Sequence, residues 1–305
     1  MILPVTHLTY QQIDKEKWDA CINNAGNGLV YGYSFYLDAM SDNWDCLVMN
    51  DYEVVMPLTW KKKYGIAYLY QPPFTACLGV FGNNITAETV NEFLKSIPAS
   101  FKYWDIYLNQ GNFFKLPGFD LYERMNYVLP LDGSYEELYS HYRDNIKRNI
   151  KKSEQLGLII NKNIPVQEAI SLAQEQARNF SVLSSDDFKR FESLYSQLYK
   201  KEKATSYGVY TKEGQLIAAA VFLFSHNRAY YILVGNHPNG KTLGASHALI
   251  NAFIKDHACL DMILDFEGSD ISSLAFFYSS FGAKEEKYPA IRLNRLPKPI
   301  KWLKK

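Results

Sequence analysis

Hydrophobic and polar positions follow two rhythms that take turns along this chain. Short runs with two-residue alternation or continuous apolar character predict strands at residues 5–8, 44–50, 54–62, 66–70, 103–108 and 121–131. Apolar residues at helical spacing predict helices over 11–24, 34–40 and 87–97, the last with Val90, Phe93, Leu94 and Ile97 on one face and Thr86 as its N-cap. Pro72-Pro73 ends the fourth strand. After residue 157 the rhythm is clearer. Strands are predicted at 158–163, 206–211, 215–224, 229–235, 260–266 and 285–293. Helices are predicted over 165–180 with Pro165 in the first turn, 186–200 capped by Ser184, 244–257 and 271–281. Lys212-Glu213-Gly214 and Ser225-His226-Asn227 read as hairpin turns.

As letters, the second half is β-α-α-β-β-β-α-β-α-β. The first half repeats that order, with only a weak final helix near 109–115. Few residues repeat, so the order of elements carries the duplication. The expected fold class is α/β (α+β): two tandem units, each a mixed, mostly antiparallel sheet with helices on both faces. A helix over 134–156, ended by Gly157, joins the halves, with Tyr135, Leu138, Tyr142, Ile146 and Ile150 as its apolar stripe. The expected domains are therefore 1–133 and 134–305. The tail from 296 to 305 is basic and reads as a surface extension.

Composition narrows the function classes. A length of 305 residues suits two domains, and a formal charge of +1 gives no general pull toward DNA or anionic membranes. The 23 Tyr and 18 Phe favour sheet and cleft walls. Cys21, Cys46, Cys77 and Cys259 form no CxxC pair and fit reduced thiols. No His/Cys spacing suggests a metal. The first residues carry no basic region followed by an apolar run, and no apolar stretch reaches membrane-span length, so a cytoplasmic protein is expected.

Several segments carry a family resemblance. His141-Tyr142-Arg143-Asp144-Asn145-Ile146-Lys147-Arg148-Asn149-Ile150-Lys151-Lys152 followed by Gly157 resembles the basic helix that starts the second domain of Fem-type peptidyltransferases. Val55-Met56-Pro57-Leu58 and Tyr70-Gln71-Pro72-Pro73 resemble first-domain strands of that family. Asp265-Phe266-Glu267-Gly268 resembles its Asp-Phe-Gly-Gly turn, and Phe277-Tyr278-Ser279-Ser280-Phe281-Gly282 its Phe-Lys-x-x-Phe-Gly segment. The element order resembles the GNAT acyltransferase fold, present twice, across nearly the whole chain. One departure stands out: Tyr278 occupies the place of the Fem lysine. Tyr278 with Gly282 instead resembles the Tyr-x-x-x-Gly of GNAT enzymes that use acyl-CoA. Lys241-Thr242-Leu243-Gly244-Ala245-Ser246 resembles their pyrophosphate loop, with Lys for Arg and Ser for the last small residue.

The resemblance implies acyl transfer to an amine, with acyl-CoA (acetyl-CoA first) as donor. It implies Tyr278 as the acid for the departing thiolate, and the backbone at Val234 and Gly235 beside the acyl carbonyl. Residues 241–246 have their own chemical warrant, because small residues before a helix N-terminus let amides approach an anion; Lys241, Gly244, Ala245 and Ser246 are the donor-binding candidates. A plain strand-to-helix turn is the other reading. Glu267 and Asp265 sit at the C-terminal end of a strand, where α/β folds place sites, and either could take a proton from an amine. A turn-stabilising role fits Asp265 better than Glu267. His237 and His247 are further base candidates. Tyr278 could equally be a core aromatic among Phe276, Phe277 and Phe281. Arg143, Lys147 and Arg148 could meet phosphates of an acceptor or an RNA, or form a solvated helix face. The alternatives are a Fem-type aminoacyltransferase using aminoacyl-tRNA on a peptidoglycan precursor, and a non-catalytic GNAT-fold module that binds such a precursor or a protein.

Overall fold

The structure, a computed structural model, describes residues 4–177, 183–268, 270–297 and 301, and all of these side chains except that of Lys241. The chain divides into two compact units. The first comprises Met1–Arg124 and Lys287–Lys305, and the second Met125–Glu286.

The first unit opens with β1 (Val5–Leu8), α1 (Lys15–Asn24) and α2 (Ser34–Met40). Asp14 caps α1 by accepting the Glu16 and Lys17 amides, and Trp18 and Ile22 bury one face of the helix. An antiparallel run follows: β2 (Asn43–Met49), β3 (Val54–Lys63) and β4 (Ile66–Tyr70). The short β5 (Phe81–Gly82) pairs with β3. Then come α3 (Ala87–Ser96) and β6 (Tyr103–Tyr107), which runs parallel to β4. The Thr86 cap forms as expected, its hydroxyl accepting the Thr89 amide. The weak helix near 109–115 is only a single 3-10 turn, Gln110–Asn112.

β7 (Leu121–Pro130) carries the chain into the second unit. There follow α4 (Tyr135–Ser140), α5 (Asp144–Gln155), β8 (Ile159–Lys162), α6 (Val166–Ala177) and α7 (Ser185–Tyr199). The expected extension of α6 over 178–180 lies outside the described residues. Ser184 caps α7 in a reciprocal capping box with Asp187. The hairpin strands β9 (Ala204–Tyr210), β10 (Leu216–Ser225) and β11 (Arg228–Asn236) lead to α8 (Pro238–Leu243), α9 (Ala245–His257), β12 (Ile263–Asp265), α10 (Ser272–Ser279) and β13 (Lys284–Asn294).

The sheet order in the second unit is β8-β9-β10-β11-β12-β7, with only β11 and β12 parallel. In the first it is β1-β2-β3-β4-β6-β13, with only β4 and β6 parallel. The expected fold class holds. β10 shows why helices cover both faces of the second sheet. Its run is apolar throughout, as a strand buried on both sides requires. Ala218, Ala220 and Phe222 join the core that holds Leu249 and Phe253 of α9, while Ala219 lies beside Gly235, against α6.

Two expectations differ from this structure. The units divide at 124/125 and 286/287, not at 133/134. β7 pairs with β12, whereas β13 pairs with β6, so each unit takes its last strand from the other half of the sequence. The single helix over 134–156 is two, broken at His141–Arg143. There the Arg143 amide donates to the Ser280 carbonyl at 2.9 Å, and His141 packs close to Gly282. The stripe residues Leu138, Tyr142, Ile146 and Ile150 still enter the core.

Candidate active site

β11 and β12 pair at only three positions: Arg228 with Ile263, Ala229 with Leu264 and Tyr230 with Asp265. β12 then ends, whereas β11 runs on to Asn236. Along that extension β11 bulges against β10, because Val221 faces Leu233 and Phe222 faces Tyr231, leaving Ile232 unpaired in register. A bulge bends its strand and re-aims the residues after it. Beyond it, amides alternate in direction. The His237 amide donates to Ile217 of β10 at 3.0 Å, while the Asn236 amide donates to the Gln176 side chain at 2.6 Å. Val234, two residues before Asn236, therefore turns its N–H to the side that β12 has left. Gly235 turns its N–H toward β10. The absent Gly235 side chain has a packing cause: a Cβ would lie 2.6 Å from the Ala173 nitrogen of α6.

The end of β12 is tied down by a buried charged cluster. Arg228 reaches Asp265 at 2.6 Å and Glu286 through two bonds at 2.9 and 3.0 Å. Asn126 donates to Asp265 at 2.9 Å. Arg228, Asp265 and Asn126 are each less than a tenth exposed. Burial alone would lower the Arg228 pKa, but the two carboxylates outweigh it and raise it. Asp265 also accepts the Glu267 amide at 2.8 Å, and the Asn126 carbonyl accepts the Gly268 amide at 2.6 Å. Asp265 is thus the turn-stabilising carboxylate. The two turn amides are committed, so they offer nothing to a developing oxyanion.

Glu267 and Gly268 both adopt left-handed backbone, with φ of 64° and 82°. Phe266 before them stacks on the Tyr278 ring of α10 at 4.6 Å, and Tyr231 of β11 meets that ring edge-on at 6.4 Å. Tyr278 is only 8% exposed, so the core-aromatic reading of it is realised. The chemical reading survives beside it, because its hydroxyl makes no hydrogen bond to a described residue. Burial pushes its phenol pKa up to about 12, with the neighbouring Glu267 carboxylate adding to the rise. At neutral pH this group holds its proton and is an acid, not a base.

The expected donor loop is altered. Residues 238–243 are helical, capped by His237, whose Nδ1 accepts the Asn239 amide at 3.2 Å. The side chain of Lys241 lies outside the described residues. Gly244, at φ 76°, ends α8 and starts α9, and a Cβ there would lie 2.6 Å from the Asn149 carbonyl oxygen of α5. Ala245 is fully buried, and Ser246 donates to the Asn236 side chain at 2.5 Å. The start of α9 is therefore packed against α5 at Gly244. His247 faces the edges of Phe277 and Phe281, and burial lowers its pKa to about 4. It is neutral at pH 7, and its Nδ1 has no hydrogen-bond partner among the described residues.

On α5 and its cap, Arg143 lies over the Phe276 ring at 4.9 Å, and Lys147 donates to the Ser140 carbonyl at 3.2 Å. Arg143, Lys147, Arg148, Lys151 and Lys152 form no ion pair with a described residue. The structure thus gathers Glu267, Tyr278 and the β11 extension into one neighbourhood and ties α5 to the start of α9. Asn126, Arg228 and Glu286 escaped the sequence reading. Only an arginine at the entry to an apolar strand could have signalled them.

Among the described residues no His/Cys/Asp/Glu group is arranged to hold a metal, and no helix is long and apolar enough to cross a membrane. Cavities of about 630, 550 and 250 Å³ lie in the first unit, and none of the expected site residues lines them.

Known proteins show what this part of the chain is similar to. The family model described as Acetyltransferase (GNAT) domain matches residues 140–267. Residues 140–267 are thus similar to a GNAT domain, over less than half of the chain. The match lies within the second unit and covers β11 and the Asp265–Glu267 turn. The crystal structure of FemX is similar to the chain with a TM-score of 0.68 at 14% identity, over 98% of this chain and 99% of that one. A conserved protein of unknown function from Bacteroides thetaiotaomicron VPI-5482 gives 0.60 at 14%, over 96% and 100%. L-PGS from Bacillus licheniformis gives 0.56 at 12%, over 95% of each chain. These likenesses show the fold. A comparison with curated proteins returns no match.

Proposed function

We propose that this chain is an N-acyltransferase that moves an acyl group from acyl-CoA, acetyl-CoA first among donors, to the amine of a small molecule or a cell-envelope or amino-sugar precursor. Chemistry belongs to the second unit, and the first is a degenerate copy that shapes the acceptor side. The observation that carries this reading is the buried Tyr278 ring, set against Tyr231 and Phe266 at the point where β11 and β12 part, next to the Glu267 turn.

The steps follow from those groups. The acyl carbonyl lies beside the Val234 amide, which polarises it. The neutral amine attacks, and Glu267 takes its proton. The carbon–sulfur bond breaks, and Tyr278 gives its proton to the thiolate. The proton on Glu267 then returns to the Tyr278 phenolate, so the pair ends as it began. Titration calorimetry with acetyl-CoA, followed by mass-shift detection of an acylated amine, tests the reading. Binding with an acetyl mass shift supports it; neither binding nor transfer contradicts it.

A specific observation favours a second reading, a Fem-type aminoacyltransferase using aminoacyl-tRNA. The start of α9 is packed against Asn149, and the five cations of α5 and its cap lack ionic partners among the described residues. This reading predicts RNA binding that weakens steeply with salt and with Arg143→Ala or Lys147→Ala. Salt-independent binding, or none, removes it.

A further inference from the structure

The Glu267–Gly268 turn is built in an unusual way. Consecutive left-handed residues are ordinarily Gly, Asn or Asp, because a side chain beyond Cβ is strained there. Glycine at 267 would make the same turn without strain. This chain places a glutamate there and uses four buried or half-buried polar groups from four strands to hold it. Asn126 comes from β7, Arg228 from β11, Asp265 from β12 and Glu286 from β13. Two of the four reach the turn itself: Asp265 fixes the Glu267 amide and Asn126 fixes the Gly268 amide. Arg228 holds Asp265 in place and is itself held by Glu286 in a two-bond fork. The Phe266–Tyr278 stack fixes the distance from the turn to the phenol.

We infer that Asn126 and Arg228 are positioning residues: through Asp265 and Glu286 they hold the left-handed turn and so fix where Glu267 leaves the strand end beside the stacked Phe266 and Tyr278 rings. The inference rests on the reading that Glu267 and Tyr278 exchange a proton, but it concerns their placement and is testable without turnover. Strained backbone persists where surrounding structure over-determines it, and this cluster is that structure. It touches neither donor nor acceptor in the proposed chemistry. Its effect on rate therefore runs through Glu267 alone, lowering kcat with little change in KM. Among the described residues, the ionisable groups tied to the turn are Asp265, Arg228 and Glu286, and Tyr231 on β11 meets the Tyr278 ring edge-on.

The test reads the Tyr278 ring directly. The full chain is labelled with 3-fluorotyrosine, the Tyr278 resonance is assigned by its loss in Tyr278→Phe, and its ¹⁹F shift is followed from about pH 4 to pH 8, where carboxylates ionise. The wild-type resonance is expected to move with pH, and Glu267→Gln to abolish that movement. In Asn126→Ala and in the charge-conserving Arg228→Lys the movement should shrink at least twofold, while circular dichroism and Tm report a folded protein. Two variants are used because Arg228 bonds two buried carboxylates, so its replacement is the one expected to cost more stability. An undiminished, Glu267-dependent movement in folded Asn126→Ala overturns the inference. A resonance insensitive to Glu267→Gln in the wild-type background overturns it as well. Failure of the acyltransferase reading looks different: the pH-dependent movement and its loss in Asn126→Ala remain, but no amine is acylated by any donor.

Discussion

The parallel strand pairs β4 with β6 and β11 with β12 begin alike and end differently. Each pairs at three positions, and each supplies the fourth and fifth of its unit's six sheet strands. In the first unit β4 stops at Tyr70, where the pairing stops, and Pro72-Pro73 turns the chain away. The gap beside β6 is then filled from within. Gln71 accepts the Tyr107 amide and donates to the Thr75 carbonyl, and Leu78 forms a parallel bridge with Leu108. What remains there is a cavity of about 10 Å³. In the second unit β11 runs six residues past its last pair with β12, bulges at Ile232 and leaves the Val234 amide on the vacated side. The same scaffold thus gives one half with backbone groups committed to itself and one half with a backbone donor to offer. The order of elements carries the fold, and the continuation of one strand past its partner carries the proposed function.

Breaking the support of the second pair has the largest expected effect. Arg228→Ala leaves Asp265 and Glu286 without their cation, a change that costs about 3–5 kcal/mol. Urea melts should place it well below wild type, and an unchanged midpoint would show that the cluster holds nothing. Next is a pH effect confined to the second unit. His247 is held neutral, so protonation favours the unfolded chain. The stability is present above pH 6.5 and is lost as pH falls from 6.5 toward 4, by up to about 3 kcal/mol. Replacing His247 with Phe should flatten that part of the stability–pH curve.

A third substitution sharpens the comparison of backbones. Gly235→Ala drives a methyl into the Leu172–Ala173 backbone and should cost about 2 kcal/mol. A smaller shift in the urea midpoint would mean that α6 yields easily. The smallest effect belongs to the closed pair. Gln71→Ala removes the bonds to Tyr107 and Thr75 and should cost about 1 kcal/mol without altering acyl transfer. Loss of transfer in that variant would contradict the division of labour between the two pairs.

The fold was legible because its signals are local. The Thr86 and Ser184 caps, the hairpin turns and the continuous apolar run of β10 each announce themselves within a few residues. The units' shared last-strand arrangement was not, since nothing in the local pattern of β7 or β13 says which sheet receives it. The same limit hid the cluster: Asn126, Arg228, Asp265 and Glu286 are up to 160 positions apart and meet only through strand order. Glu267 and Tyr278 could be proposed from sequence because a strand end and a tyrosine–glycine spacing are local marks. The 241–246 segment reads two ways because its small residues have two uses. They admit an anion in an open loop, and they also admit a neighbouring helix, and here Gly244 admits Asn149.

The central claim is that the second pair's departure point is an acyl-transfer site with Tyr278 as its acid. Its most direct test is the rate of acetyl transfer to an amine panel by wild type and Tyr278→Phe, read by mass shift. The account predicts transfer by the wild type and a kcat lower by about 10²-fold or more in Tyr278→Phe, with Tm preserved because the ring still packs on Phe266. Full turnover in Tyr278→Phe would contradict it.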